Sequence, residues 1–386
     1  MHVMLTSIDY FANAYASRVN RLIDGKGHGK KIVGTLCLYV PDELIYAAGA
    51  DRVVLCGGTN ITIPIAEEYL PRSVCPLIKS SFGSIVARTC QGVGVAACPH
   101  FDLVDMVVGE ATCDGKKKMY EIMGDFIATH VIDLPQMPAG PEALSYYAGE
   151  LKRFKGALEK LTGNTITDER LKAEIRSANE TRGLLNRLYE QRKKDPPSIS
   201  GMDVLKVLQK QYFLSPEEFR HGLHQLVDEV EHAPPIAEHR LPRILLTGCP
   251  MASGNTKVPR IIEEKGGVIV VEESCTGTRS FGEMVDERRK PQLTALAERY
   301  LRIPCACMTP NARRTEGILE LAESFDIDGV VYYTLQFCHG YNIERFRVQQ
   351  ALKRKGIPML SIETDYGESD SEQIGVRVDA FMEMIS

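Results

Sequence analysis

Apolar residues fall into two textures along this chain. In residues 31–140, and again in 241–386, short apolar runs alternate with stretches whose apolar positions recur every three or four residues. KIVGTLCLYV (31–40), RVVLC (52–56), LVDMVVG (103–109) and HVIDLP (130–135) read as buried strands, bounded by Pro41 and by Gly57-Gly58. Asp42 opens a short helix that Gly49 closes, and Pro76 starts another over LIKSSFGSIVA. Met119, Ile122, Met123, Phe126 and Ile127 mark one face of a helix within 116–128. Strands recur at RILLTG (243–248), GVIVVEES (267–274), DGVVYYTLQF (328–337) and IPMLSIE (357–363). Helical periods lie near 256–265, 292–302, 311–324 and 342–355, and a last helix carries Ile374, Val378, Phe381, Met382 and Ile385 on one face. Between the two regions, residues 142–232 show charged, helical-period sequence, broken once at Asp195-Pro196-Pro197. The pattern predicts an α/β protein of two open, parallel-sheet lobes, 1–140 and 241–386, with a helical connecting segment, 141–240.

Composition narrows the function. The 386 residues carry a net charge of −5 with no basic stripe, which argues against nucleic acid as a partner. No apolar run reaches the ~18 residues of a membrane span, and MHVMLTSIDYFANAY lacks the basic and apolar regions of a secretory leader. The sequence therefore predicts a cytoplasmic protein, in which eleven cysteines are not a disulfide framework.

The arrangement of those cysteines sets them apart from ordinary core residues. Cys75, Cys90, Cys98 and Cys113 crowd into residues 75–119 without a CxxC pair. Cys75 and Cys113 each directly precede a predicted helix, where thiols are biased toward the metal-binding thiolate. Cys56, Cys249, Cys275 and Cys338 each end a predicted strand, and Cys113 lies just beyond one. Open parallel sheets bind ligands outside the carboxyl ends of their strands, so these positions predict a metal site between two lobes. Soft thiolate sets suit zinc or iron–sulfur clusters; more than four candidates and no histidine-rich grouping favour iron–sulfur. Ferredoxin spacings are absent, so spacing alone does not name the cluster. Lys116-Lys117-Lys118 reads as a solvated basic turn or as a contact for an anion or a partner protein, and His339 follows the last cysteine as a proton donor or a structural residue. GxxxxGK[ST] is missing and GVGVAA (92–97) is not GxGxxG, so no ATP site is predicted.

From residue 31 onward, GTLCLYVPDELIYAAGA, LPRSVCPLIKSSFG, VVGEATCDGKKKMYE, TGCP, ESCTGTR, IPCACMTPNARR, QFCHGYNIE and IETDYGESD resemble the 2-hydroxyacyl-CoA dehydratase/benzoyl-CoA reductase superfamily. More narrowly, they resemble its double-cubane cluster protein branch. The resemblance implies two flavodoxin-like lobes, a homodimer, and a double-cubane iron–sulfur cluster (8Fe-9S), two 4Fe–4S units bridged by a sulfide. By motif context Cys75, Cys113 and Cys338 match the cysteines that hold a single cluster in dehydratase subunits. Cys98, Cys275 and Cys305 match the positions that the double-cubane branch adds, with Cys307 the alternative to Cys305. Cys37, Cys56 and Cys249 also fall in branch-like motifs, whereas Cys90 lies outside them. The resemblance further implies a separate ATP-hydrolysing iron–sulfur reductase as electron donor and a small unsaturated or N–N-bonded substrate. His339 and Glu110 are the expected proton donors, and Lys116–Lys118 would meet the partner or an anion. The chain departs from the branch at His339-Gly340-Tyr341 and at Asp365-Tyr366-Gly367-Glu368-Ser369-Asp370, both bearing on the substrate pocket. The rival expectations are a dehydratase subunit with one 4Fe–4S cluster and a non-enzymatic electron-relay protein.

Overall fold

The computed structural model describes residues 5–55, 57–88 and 99–386. Cys56, Cys90 and Cys98 lie outside the described residues.

Two four-stranded sheets form, and each is parallel throughout. The first comprises β1 (Ile32–Thr35), β2 (Asp51–Val54), β3 (Met106–Glu110) and β4 (Thr129–Ile132), in the order β2-β1-β3-β4. The second comprises β5 (Arg243–Gly248), β6 (Val268–Glu273), β7 (Gly329–Leu335) and β8 (Met359–Thr364), in the order β6-β5-β7-β8. β1, β3, β5, β6 and β7 are buried along their whole length, which is why they read as unbroken apolar runs rather than alternations. Both sheets have the same winding, so each reverses direction between its first and third strands. The crevice that such a reversal opens faces the carboxyl ends of β1 and β3 in one sheet, and of β5 and β7 in the other.

Several strands are shorter than their apolar runs. The first ends at Thr35, and the chain turns through residues 36–40 with Leu36, Tyr39 and Val40 still buried. Side-chain bonds hold that turn: Tyr39 Oη donates to the Ile303 carbonyl at 2.6 Å, and Tyr147 Oη donates to the Tyr39 carbonyl at 2.5 Å. One continuous apolar cluster takes in Val33 and Val107 of the first sheet, Ile244 and Val331 of the second, and Cys75, Cys249 and Cys305. The lobes therefore share a core where the candidate thiols sit.

The middle of the chain is helical, with helices Pro141–Thr162, Asp168–Gln191, Gly201–Lys210 and Pro216–His232. Thr167, Ser200 and Ser215 cap three of them by side-chain acceptance, Ser215 within a full capping box. A further helix, Thr6–Gly27, packs on Pro216–His232: Glu229 accepts from the Thr6 and Ser7 backbone at 2.8 and 3.0 Å, and Phe11 meets Phe219 at 5.6 Å.

Candidate metal centre

Each described cysteine of the first lobe stands where its backbone leaves a regular element. Cys37 lies in the turn after β1, Cys75 precedes helix Pro76–Ala87, and Cys113 precedes helix Asp114–Met123 shortly after β3. In the second lobe Cys249 follows β5, Cys275 follows β6, and Cys338 precedes helix His339–Arg354 after β7. Cys305 and Cys307 follow helix Gln292–Leu301. The carboxyl-end crevices of the two sheets meet, and the thiols pair across them.

Three interacting thiol sets result. Cys75 and Cys249 both interact with Cys338, Cys37 with Cys275, and Cys307 with Cys305. The first two sets each join a first-lobe sulfur to a second-lobe sulfur. Within each set one sulfur is favoured as the thiolate. Cys249 and Cys75 hold Cys338 well below the ordinary thiol range, and Cys37 lowers Cys275. Cys307 draws Cys305 down to about 6. Their neighbours move the other way: interaction with Cys338 and burial raise Cys75, while interaction with Cys275 and burial raise Cys37.

Cations reinforce the acceptors. Lys116, buried and ion-paired with Glu110, lowers the proton affinity of Cys37, Cys113, Cys275 and Cys338. On the opposite flank Arg279 Nη1 lies 3.9 Å from Cys275 Sγ and bonds Tyr341 Oη, which lies 3.7 Å from Cys305 Sγ. Glu273 anchors that arginine at 2.5 and 2.7 Å and also accepts from Arg314 and Thr247.

The structure thus brings Cys75, Cys275, Cys305 and Cys338 to the junction of the lobes. Cys113 lies close enough to Cys338 and Lys116 to feel their charge, yet it is exposed. Cys98 falls outside the described residues. Cys249 and Cys37 join the thiol sets although the resemblance does not place them among the six expected ligands; position at the strand end is the signal for Cys249. Glu110 is fully buried, with Oε2 lacking a hydrogen-bond partner. His339 is exposed as the first residue of its helix. The basic triplet divides. Lys116 turns inward, whereas Lys117 and Lys118 pair with Asp114 and Glu121 at 2.9 and 2.7 Å on the surface.

Among the described residues, no three histidine, cysteine or acidic side chains are grouped so as to hold a single metal ion. The donor chemistry nevertheless fits a larger sulfur-ligated group. It is all thiol, exceeds four donors, lacks imidazole, and is flanked by cations that stabilise thiolates.

Comparison with known proteins places the chain in a family. The model of the 2-hydroxyglutaryl-CoA dehydratase D-component family matches residues 37–385. The chain is 37% identical to an Escherichia coli (strain K12) protein named "Putative dehydratase subunit YjiM", over 98% of this chain and 97% of that protein. It is 26% identical to the (R)-phenyllactyl-CoA dehydratase beta subunit of Clostridium sporogenes, over 92% of each chain. It is 23% identical to one of the subunits of benzoyl-CoA reductase from Thauera aromatica, over 91% of this chain and 89% of that protein. The matched span begins at Cys37 and takes in every described cysteine and every strand but β1, and on that span the chain belongs to the 2-hydroxyglutaryl-CoA dehydratase D-component family, within the 2-hydroxyacyl-CoA dehydratase/benzoyl-CoA reductase superfamily.

Proposed function

We propose that this chain is the substrate-reducing component of a two-component iron–sulfur system. It holds a double-cubane cluster, receives low-potential electrons from an ATP-hydrolysing iron–sulfur reductase, and reduces a small unsaturated or N–N-bonded molecule in the cytoplasm. The observation that supports this reading is thiol number. Seven mutually interacting cysteines meet at the lobe junction, more than the four that one 4Fe–4S unit takes. Cys75, Cys98, Cys113, Cys275, Cys305 and Cys338 are the proposed ligands, with Cys307 the alternative to Cys305. When bound, the cluster supplies stored electrons at low potential.

The chain's own residues supply the rest. Lys116 and Arg279 favour thiolates on both flanks, and burial keeps water from Cys75, Cys249, Cys275 and Cys305. Glu110 and His339 are the proposed proton donors, one inside beside Lys116 and one at the rim. Partner components accord with the subunit names of the relatives, and we assign a homodimer. Among the described residues no helix is long and apolar enough to cross a membrane.

The names of the relatives favour a second reading: a 2-hydroxyacyl-CoA dehydratase subunit with one 4Fe–4S cluster on Cys75, Cys113 and Cys338, working beside a non-identical subunit. Cys275→Ala and Cys305→Ala separate the two. The double-cubane reading requires Cys275→Ala to lose iron, together with Cys305→Ala or, if Cys307 takes its place, Cys307→Ala; unchanged iron in Cys275→Ala and Cys305→Ala leaves only the dehydratase reading.

A further inference from the structure

We propose that a channel between helices Asp168–Gln191 and Pro216–His232 and the edge of the first sheet is the substrate's way in and its binding place, and that it selects a neutral, largely apolar molecule no larger than benzene. This rests on the reading that the thiols hold the reducing centre.

The channel has a volume of about 140 Å³ and reaches Cys37 and Cys275, a pair with one sulfur from each lobe. Glu174, Ser177, Ala178 and Pro216, half-buried as Leu38, Gln211 and Tyr212 are elsewhere on the lining, open it toward solvent between the two helices. Between the ends, Leu36, Val40, Leu214 and Phe219 line the wall, none more than 4% exposed. An apolar cavity of about 150 Å³ takes up benzene or xenon, which bounds the guest by size. A coenzyme A thioester is far too large to be enclosed here.

Charge sets the class. Inward of Glu174, the ionic groups of the wall are already bonded to protein. Glu43 accepts from Arg182 at 2.6 Å and from Tyr300 at 2.7 Å, and Asp42 accepts from Arg52 at 2.5 Å. Lys116 is held by Glu110, and Arg299 donates to the backbone carbonyls of Glu283 and Ser280. An ionic guest would lose its water without gaining a free counter-charge, which disfavours it strongly in so enclosed a space. Glu174 stands at the mouth, where the fields of Glu43 and Glu217 are offset in part by Arg220 and Arg170, and its own carboxylate further disfavours an approaching anion.

The test uses anaerobically purified holoprotein and xenon as the probe, followed by the chemical shift of dissolved xenon-129 and by crystals under xenon pressure. Xenon is expected beside Leu36 and Phe219, displaced by ethyne but not by acetate. Ala178→Phe fills the mouth from the helix side, away from the thiols, and should weaken xenon uptake at least tenfold with iron content unchanged. Ala178→Leu, a smaller change, should give an intermediate loss and guards against misfolding of the first variant. Where the holoprotein reduces ethyne, Ala178→Phe should lower kcat/KM at least tenfold. No xenon in the channel, displacement by acetate, or unaltered uptake in both variants overturns the proposal. A protein that takes up xenon as expected but carries no iron upholds the channel and removes the reducing-centre reading instead.

Discussion

Glu43 ties three parts of the molecule together at one carboxylate. It sits on helix Asp42–Ala47 of the first lobe, 1% exposed. Its two oxygens accept from Arg182 on the helical segment at 2.6 Å and from Tyr300 of the second lobe at 2.7 Å. Glu43→Gln keeps the shape and removes the charge, leaving Arg182, 7% exposed, without its ion-pair partner. Breaking a buried pair from one side costs about 3–5 kcal/mol, and that is the expected loss at pH 7. Burial alone would raise the Glu43 carboxyl, but the Arg182 guanidinium and the Tyr300 hydroxyl override it and hold it below its usual range. A carboxyl lowered by folding stabilises above its unfolded value, near ~4.3, and that contribution fades as pH falls through the folded value. The deficit of the variant should therefore be full at neutral pH and shrink in acid. Urea unfolding followed by circular dichroism reads both effects. Arg182→Met should cost a similar amount, and the double variant should be less destabilised than the sum of the two. A Glu43→Gln loss below about 0.5 kcal/mol at pH 7, or a deficit that grows in acid, refutes the reasoning.

Three other outcomes follow from single contacts. Ser215→Ala removes the capping box of helix Pro216–His232, where Ser215 and Glu218 bond each other reciprocally, and should cost ~1 kcal/mol in the same urea assay. Gly248 adopts φ +132°, and an added Cβ would run into the Tyr333 carbonyl oxygen. Gly248→Ala should cost roughly 1–3 kcal/mol in thermal unfolding and, by displacing Cys249 from its neighbour Cys338, reduce bound iron. Arg279→Gln should lower the reduction potential of the bound cluster by on the order of 50–100 mV, since it removes a cation beside Cys275. Tyr341→Phe, which removes the hydroxyl 3.7 Å from Cys305, should lower it less, both read by titration with electron paramagnetic resonance.

Strand ends were the legible part of the site. A strand buried on both faces gives an apolar run, and the residue after the run marks the carboxyl edge, which located Cys249, Cys275 and Cys338. The same run cannot show where a strand stops when the following turn is buried too, and so the apolar pattern puts Cys37 inside a strand. Lys116 was hidden for a different reason. Two solvated neighbours masked it, and its buried partner Glu110 lies six residues away across a strand end. The helix Thr6–Gly27 has its buried side at Ser7, Phe11, Arg18 and Leu22, where a serine and an arginine interrupt the apolar stripe. Arg18 is buried because Asp51 meets it at 2.9 Å, a contact that only the fold creates. The three thiol sets belong to the same class, since two of them join residues from different lobes.

The most direct test of the account is iron and acid-labile sulfide per chain in protein purified without oxygen. A double cubane on these thiols predicts about eight irons with slightly more sulfide. About four irons, unchanged by Cys275→Ala and Cys305→Ala, contradict it in favour of the dehydratase reading, and none in freshly prepared anaerobic protein contradicts both.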